Sequence, residues 1–209
     1  MLEPILAEDS TILKLVPSLE GIVKDLKEDA THHDYFVALL IVFLAESGFH
    51  ATTTDNCHSE CSKLNSLRIP KHWKSQKTGI YEMMFRLAAV PDVECKFVAI
   101  SSGDTLIVNF FSVFDKRNIY SIAVQCLKYV NPFSSDLSGR YINLKAISHR
   151  FKDALATPLR SDVLTRAGLM CPSLQGLPTE LKLKIIGMLG YHSLSHTTQC
   201  SSEFDKLCQ

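Results

Sequence analysis

The chain has 209 residues, 46% of them apolar and 21% charged, and its 22 basic residues balance its 22 acidic ones. That length holds one good-sized domain with a small appendage, and the composition supports a sizeable core. A zero charge balance without a long basic run argues against nucleic acid or a membrane surface as the main partner.

Residues 1–17 read as a loose N-terminal tail ending at Pro17. Met1-Leu2-Glu3-Pro4 lacks the positive region of a secretory signal, and the seven cysteines form no regular framework. Free thiols in the cytoplasm, or also the nucleus, are therefore expected. Ser18 is placed to cap a helix in which Leu19, Ile22, Val23 and Leu26 follow the i, i+3, i+4, i+7 rule. After Thr31-His32-His33-Asp34, the stretch Tyr35 to Ala45 is apolar nearly all round and predicts a central helix, with Gly48 as its left-handed cap. It has about half of the ~20 residues a membrane span requires, so it reads as core. Residues 50–72 read as a polar loop.

From Ile80 the period changes to two. Tyr81, Met83, Phe85 and Leu87 share one face, and Ile80, Glu82, Met84 and Arg86 the other. Val93 to Ile100, Thr105 to Phe114 and Ile119 to Lys128 are further strands, with breaks at Pro91-Asp92, at Ser101-Ser102-Gly103-Asp104 and at Asp115 to Asn118. Connections this short permit hairpins but not parallel crossovers, which predicts an antiparallel meander. A helix with Tyr141, Leu144, Ile147, Phe151 and Leu155 follows, interrupted by Pro158, and then a last helix with Leu159, Val163, Leu164 and Ala167 closed by Gly168. The expected fold is α+β: an antiparallel β-meander packed with helices on either side, over residues 18–170. A linker, 171–176, leads to a small all-α unit, 177–209.

Little in the chain suggests chemistry. Asp55, Cys57, His58 and Cys61 share a loop but no second ligand pair follows, and Cys95, Cys126, Cys171, Cys200 and Cys208 stand singly, so no metal is expected. His32-His33 are expected to cover the start of the central helix. Ser101 to Asp104 reads as a hairpin turn rather than a nucleophile, since no activating signature surrounds it. No glycine-rich phosphate loop is present. No catalytic residue and no cofactor are expected.

Two surfaces remain. The strand from Ile80 carries apolar residues on both faces, so either helices cover both sides of the sheet or one side is a pairing surface. In the C-terminal segment Pro178 suits the first helical position and Glu180 the positive end of the helix dipole. Leu181, Ile185 and Leu189 recur every fourth residue, with Ile186 and Met188 widening the stripe and Lys182 and Lys184 on the solvent side. So short a helical pair cannot stabilise itself. Periodicity alone favours its docking on the larger domain.

The segment Leu177-Pro178-x-Glu180-Leu181-x-x-x-Ile185-Ile186-x-x-Leu189, with Ser193-Leu194 and Cys200, resembles the F-box motif. Glu46-Ser47-Gly48-Phe49, Pro70-x-x-Trp73-Lys74, Gly79-Ile80-Tyr81, Leu106-Ile107-Val108-Asn109, Phe151-Lys152-Asp153 and Pro158-Leu159 resemble the FP domain. Together they cover most of residues 18–209 and are similar to the FP-domain F-box family of nutcracker and F-box-only protein seven. The resemblance implies a non-catalytic adaptor of an SCF-type ubiquitin ligase, joined through a Skp adaptor to a cullin and a RING protein. Leu177, Pro178, Leu181, Ile185, Ile186 and Leu189 take the places of the adaptor-facing residues. It also implies homo- or heterodimerisation, including with the FP-domain proteasome inhibitor, with Ile80, Glu82 and Met84 on the candidate dimer surface. Gln199 and Ser201 flank Cys200 where the family pattern has an apolar and a basic residue, and the third F-box helix is expected to be cut short at Gln209.

Overall fold

The computed structural model describes residues 6–11, 13–52, 67–115, 118–169, 174, 177, 179–200 and 202–208, apart from the side chains at 200, 202 and 203. The chain divides into two compact units, Met1–Val163 and Leu164–Gln209. In the first, helices α1 (Pro17–Lys24) and α2 (His32–Glu46) precede strands β1 (Phe49–Ala51), β2 (Tyr81–Leu87), β3 (Val90–Ser102), β4 (Thr105–Ser112) and β5 (Ile119–Gln125). Helices α3 (Leu144–Phe151) and α4 (Thr157–Arg166) follow, joined by a π-helical segment, Lys152–Ala156. The strands form one sheet in sequence order with every pairing antiparallel. The α+β class and the meander are thus as the sequence predicts.

α2 sits at the centre because little on it is polar: Phe36 to Ala45 are all buried. Thr31 and Asp34 form a reciprocal capping box at its start. Gly48, with φ of 89°, ends it in the left-handed conformation that other residues disfavour. β1 emerges directly from that turn and pairs Phe49 with Leu87. Its last two residues fall within the segment read as loop, because three residues are too few to display an alternation. Phe49 joins Phe85, Phe97 and Phe110 in edge-to-face contacts, with the Phe49 and Phe110 centroids 5.0 Å apart.

The inner face of the sheet is the core: Tyr81, Met83, Phe85 and Leu87 of β2, Cys95, Phe97 and Ala99 of β3, and Leu106, Val108 and Phe110 of β4 are buried. The intervening residues are exposed or half-exposed throughout. Among the described residues the helices cover one face of the sheet rather than both, and the other stays open.

Four local expectations need correction. The segment before α1 is docked, not loose: Ala7, Leu15 and Val16 are buried, and the Ala7 amide donates to Glu46 Oε1 at 2.6 Å. The α1 cap is Val16, with Pro17 in the first turn, where a missing N–H goes unnoticed; Ser18 is buried and caps nothing. The β2–β3 reversal lies at Ala88-Ala89, and Pro91 and Asp92 belong to β3 where the ladder slips between Arg86 and Leu87. Proline fits such an irregularity because no ladder bond is asked of it. Pro158 does not interrupt its helix; the wider π turn of Lys152–Ala156 just ahead of it absorbs the proline, and the chain stays helical from Leu144 to Arg166.

In the second unit α5 (Thr179–Ile186), α6 (Tyr191–Cys200) and α7 (Ser202–Leu207) follow one another. α6 and α7 pack together.

Candidate functional site

Two surfaces and one buried polar anchor gather the candidate residues. The anchor is Asp34. Its Oδ1 accepts from Lys74 Nζ and from the Tyr81 hydroxyl, each at 2.8 Å, while its Oδ2 accepts from the Thr31 amide and hydroxyl at 2.7 Å. Burial alone would raise this carboxyl, but the bonds from Lys74, Thr31 and Tyr81 outweigh it and hold Asp34 below its ordinary value. Burial, with Asp34 alongside, pushes the Tyr81 phenol far up, so it remains a donor. The Trp73 ring lies 5.2 Å from that of Tyr81, and the Trp73 carbonyl accepts from the Glu82 amide. Several residues that resemble the FP domain thus turn out to be scaffold: Gly48 and Phe49 close α2, Trp73, Lys74 and Tyr81 build the anchor, and Phe151 and Leu159 are core.

The open sheet face carries the predicted Ile80, Glu82 and Met84, though not as one apolar patch. Ile80 is half-buried just before β2 and Met84 is half-buried within it. Glu82 is exposed and paired with Lys96 at 2.7 Å, and Arg86 pairs with Glu94 at 2.7 Å. The exposed apolar side chains lie further across: Ile100 stands opposite Ile107, and Ile119 opposite the half-buried Phe111. The sequence signal for these was the apolar content of both faces of the Thr105–Ser112 stretch.

On α5 the predicted stripe divides. Leu181 is 47% exposed and Met188 beyond the helix 72%, whereas Leu177, Ile185, Ile186 and Leu189 are half-buried. Pro178 lies outside the described residues. Lys182, expected on the solvent side, is buried at 5% exposure, and Leu183 is as exposed as Leu181. Burial follows the side of residues 182, 185, 186 and 189, and a lysine can occupy it because its long methylene stem is itself apolar. Lys184 is exposed as expected. On α6 the Thr197 and Thr198 hydroxyls donate to the Ser193 and Ser195 carbonyls, which satisfies them within the helix.

Asp55, Cys57, His58 and Cys61 lie outside the described residues, and among the described ones no group of three or more His, Cys, Asp or Glu side chains could hold a metal ion. His32 and His33 occupy the first turn of α2 with ring centroids 4.0 Å apart. Burial, and then the neighbouring His32, hold the His33 imidazole below its ordinary value. Burial pushes the thiols of Cys95 and Cys126 up to about 12, so neither is a thiolate at neutral pH. Ser101 to Asp104 form the β3–β4 hairpin turn, with Gly103 at φ of 59°. No helix of the described residues is long and apolar enough to cross a membrane.

No protein-family model matches the chain. Over 200 residues it is 26% identical to F-box only protein 7 of Rattus norvegicus, an alignment covering 92% of this chain and 36% of the rat protein. The chain thus spans about a third of the length of that curated relative. Over most of its length, it is distantly similar to an F-box protein.

Proposed function

We propose that the chain is a non-catalytic adaptor of an SCF-type ubiquitin ligase, gripping a Skp adaptor through α5 and thereby a cullin and a RING protein. The observation that carries this reading is the uncovered apolar surface of the second unit: Leu181 and Leu183 are both 47% exposed on one short helix, with Met188 and Tyr191 still more open. Scattered exposed apolar residues need no explanation, but several large ones along so short a segment are a surface awaiting cover. The similarity to F-box only protein 7 says which kind of cover to try first. Leu177, Pro178, Leu181, Ile185, Ile186 and Leu189 are the proposed adaptor-facing residues, and Met188 joins them on exposure.

Within this reading the open sheet face dimerises the FP-like unit, with a second copy or with the FP-domain proteasome inhibitor, and links the chain to proteasome regulation in the cytoplasm or nucleus. A specific observation favours a second reading, in which dimerisation and proteasome regulation are the whole function and the F-box is degenerate. α6 is polar where the family pattern is apolar, and its threonines are already satisfied within the helix. Co-expression with a Skp adaptor separates the two. Under the first reading the adaptor co-elutes with the chain in equal amounts; separate elution would leave only the second.

A further inference from the structure

We infer that His192 and His196 form a two-imidazole chelate for a divalent transition-metal ion on the surface of α6. The two residues are one helical turn apart, and both are exposed. Their Nε2 atoms stand 3.4 Å apart, with the rings nearly perpendicular at 82°. Ligand nitrogens at ~2.0–2.1 Å from a tetrahedral ion are themselves separated by ~3.3–3.4 Å, so the pair already has the required bite. As a hydrogen bond between two rings the same distance is poor, since N–H bonds centre near ~2.9–3.0 Å.

The helix holds both ligands in place. Both lie inside α6, Tyr191–Cys200, which sets their backbones one turn apart on one side of the helix. Imidazole donors select zinc, copper and nickel over hard ions such as magnesium. With two protein ligands, the remaining positions are water's, and the ion stays exchangeable and able to take a further ligand. Binding would clamp a helix built from Ser, Thr and His, which are weak helix formers. An ion present at a hundredfold excess over its dissociation constant would favour the folded helix by about a hundredfold, provided the unfolded chain does not bind it.

The test is calorimetric titration of the full chain with Zn²⁺ alone, with Mg²⁺ as the control. Other histidines and cysteines of the chain can also take zinc, so the informative quantity is the difference between chains. The double variant His192→Ala, His196→Ala should bind one equivalent fewer than the parent. Either single variant should bind that equivalent about a hundredfold more weakly, as expected when one of two linked donors is lost. Circular dichroism without metal should be unchanged, because both side chains are exposed. Equal stoichiometry and affinity in all four chains, or no binding of Zn²⁺ to the parent, would overturn the inference.

Discussion

Tyr81 and Lys74 meet the same oxygen of Asp34, and Thr31 holds the other. This one buried carboxylate ties the start of α2 to β2 and to the segment before it. Tyr81→Phe removes a hydrogen bond to a charged group and should lower unfolding free energy by about 2 kcal/mol, as read by urea denaturation. The same group sets an acid response. Asp34 is held below its ordinary 3.8 and Glu8, chiefly by the Ser148 hydroxyl and also by Lys152, below its ordinary 4.5. The unfolded chain therefore binds more protons than the folded one between each ordinary value and the lower folded one. Stability should be fully present above pH ~4.5 and fall as the pH drops through the folded values. In Asp34→Asn the part due to Asp34 should vanish from the plot of urea midpoint against pH. Asp34 was legible as a helix-start residue from its neighbours in sequence. Its partners, 40 and 47 residues away, were not, because nothing local in a chain specifies a tertiary hydrogen bond.

At the scale of elements, the signals that survived were long and periodic. α2 declared itself through an unbroken apolar run, and β2 to β5 through alternation and short polar breaks. Failures cluster where tertiary context overrides a local rule: three-residue β1 exists because Phe49 enters the aromatic cluster, and Pro91 sits inside β3 because the ladder slips there. Pro158 remains within a helix because the π segment before it removes the clash that would otherwise break it. Gly48 gives a clean test of the α2 terminus. A Cβ there would meet Leu87 Cδ1 at an ordinary 3.6 Å, so Gly48→Ala isolates the left-handed backbone penalty. That penalty is about 1–2 kcal/mol, and thermal unfolding should show a lower midpoint with unchanged native dichroism.

At the scale of the whole molecule, the open sheet face exposes other apolar residues than those the sequence singled out. Periodicity gave Ile80, Glu82 and Met84 one face of β2, yet the structure shows Glu82 engaged with Lys96 and the exposed apolar residues at Ile100, Ile107 and Ile119. Which face of an alternating strand is covered depends on where the helices fall, and no strand records that. If the open face dimerises, Ile107→Glu should convert a dimer to a monomer in light scattering, with Ile80→Glu weaker in effect; a parent that is monomeric at all concentrations would remove the proposal. The proposed grip on a Skp adaptor rests on α5. Leu181 is half-exposed in the free chain, so Leu181→Asp should change its own stability by no more than about 0.5 kcal/mol. Buried against a partner, that unpaired charge should cost about 3 kcal/mol or more, which is at least a hundredfold in affinity. Calorimetric titration of a Skp adaptor into the parent chain and into Leu181→Asp measures this directly. Tight one-to-one binding by the parent and a hundredfold or greater loss in the variant are expected; equal affinity in both chains would refute the proposed grip.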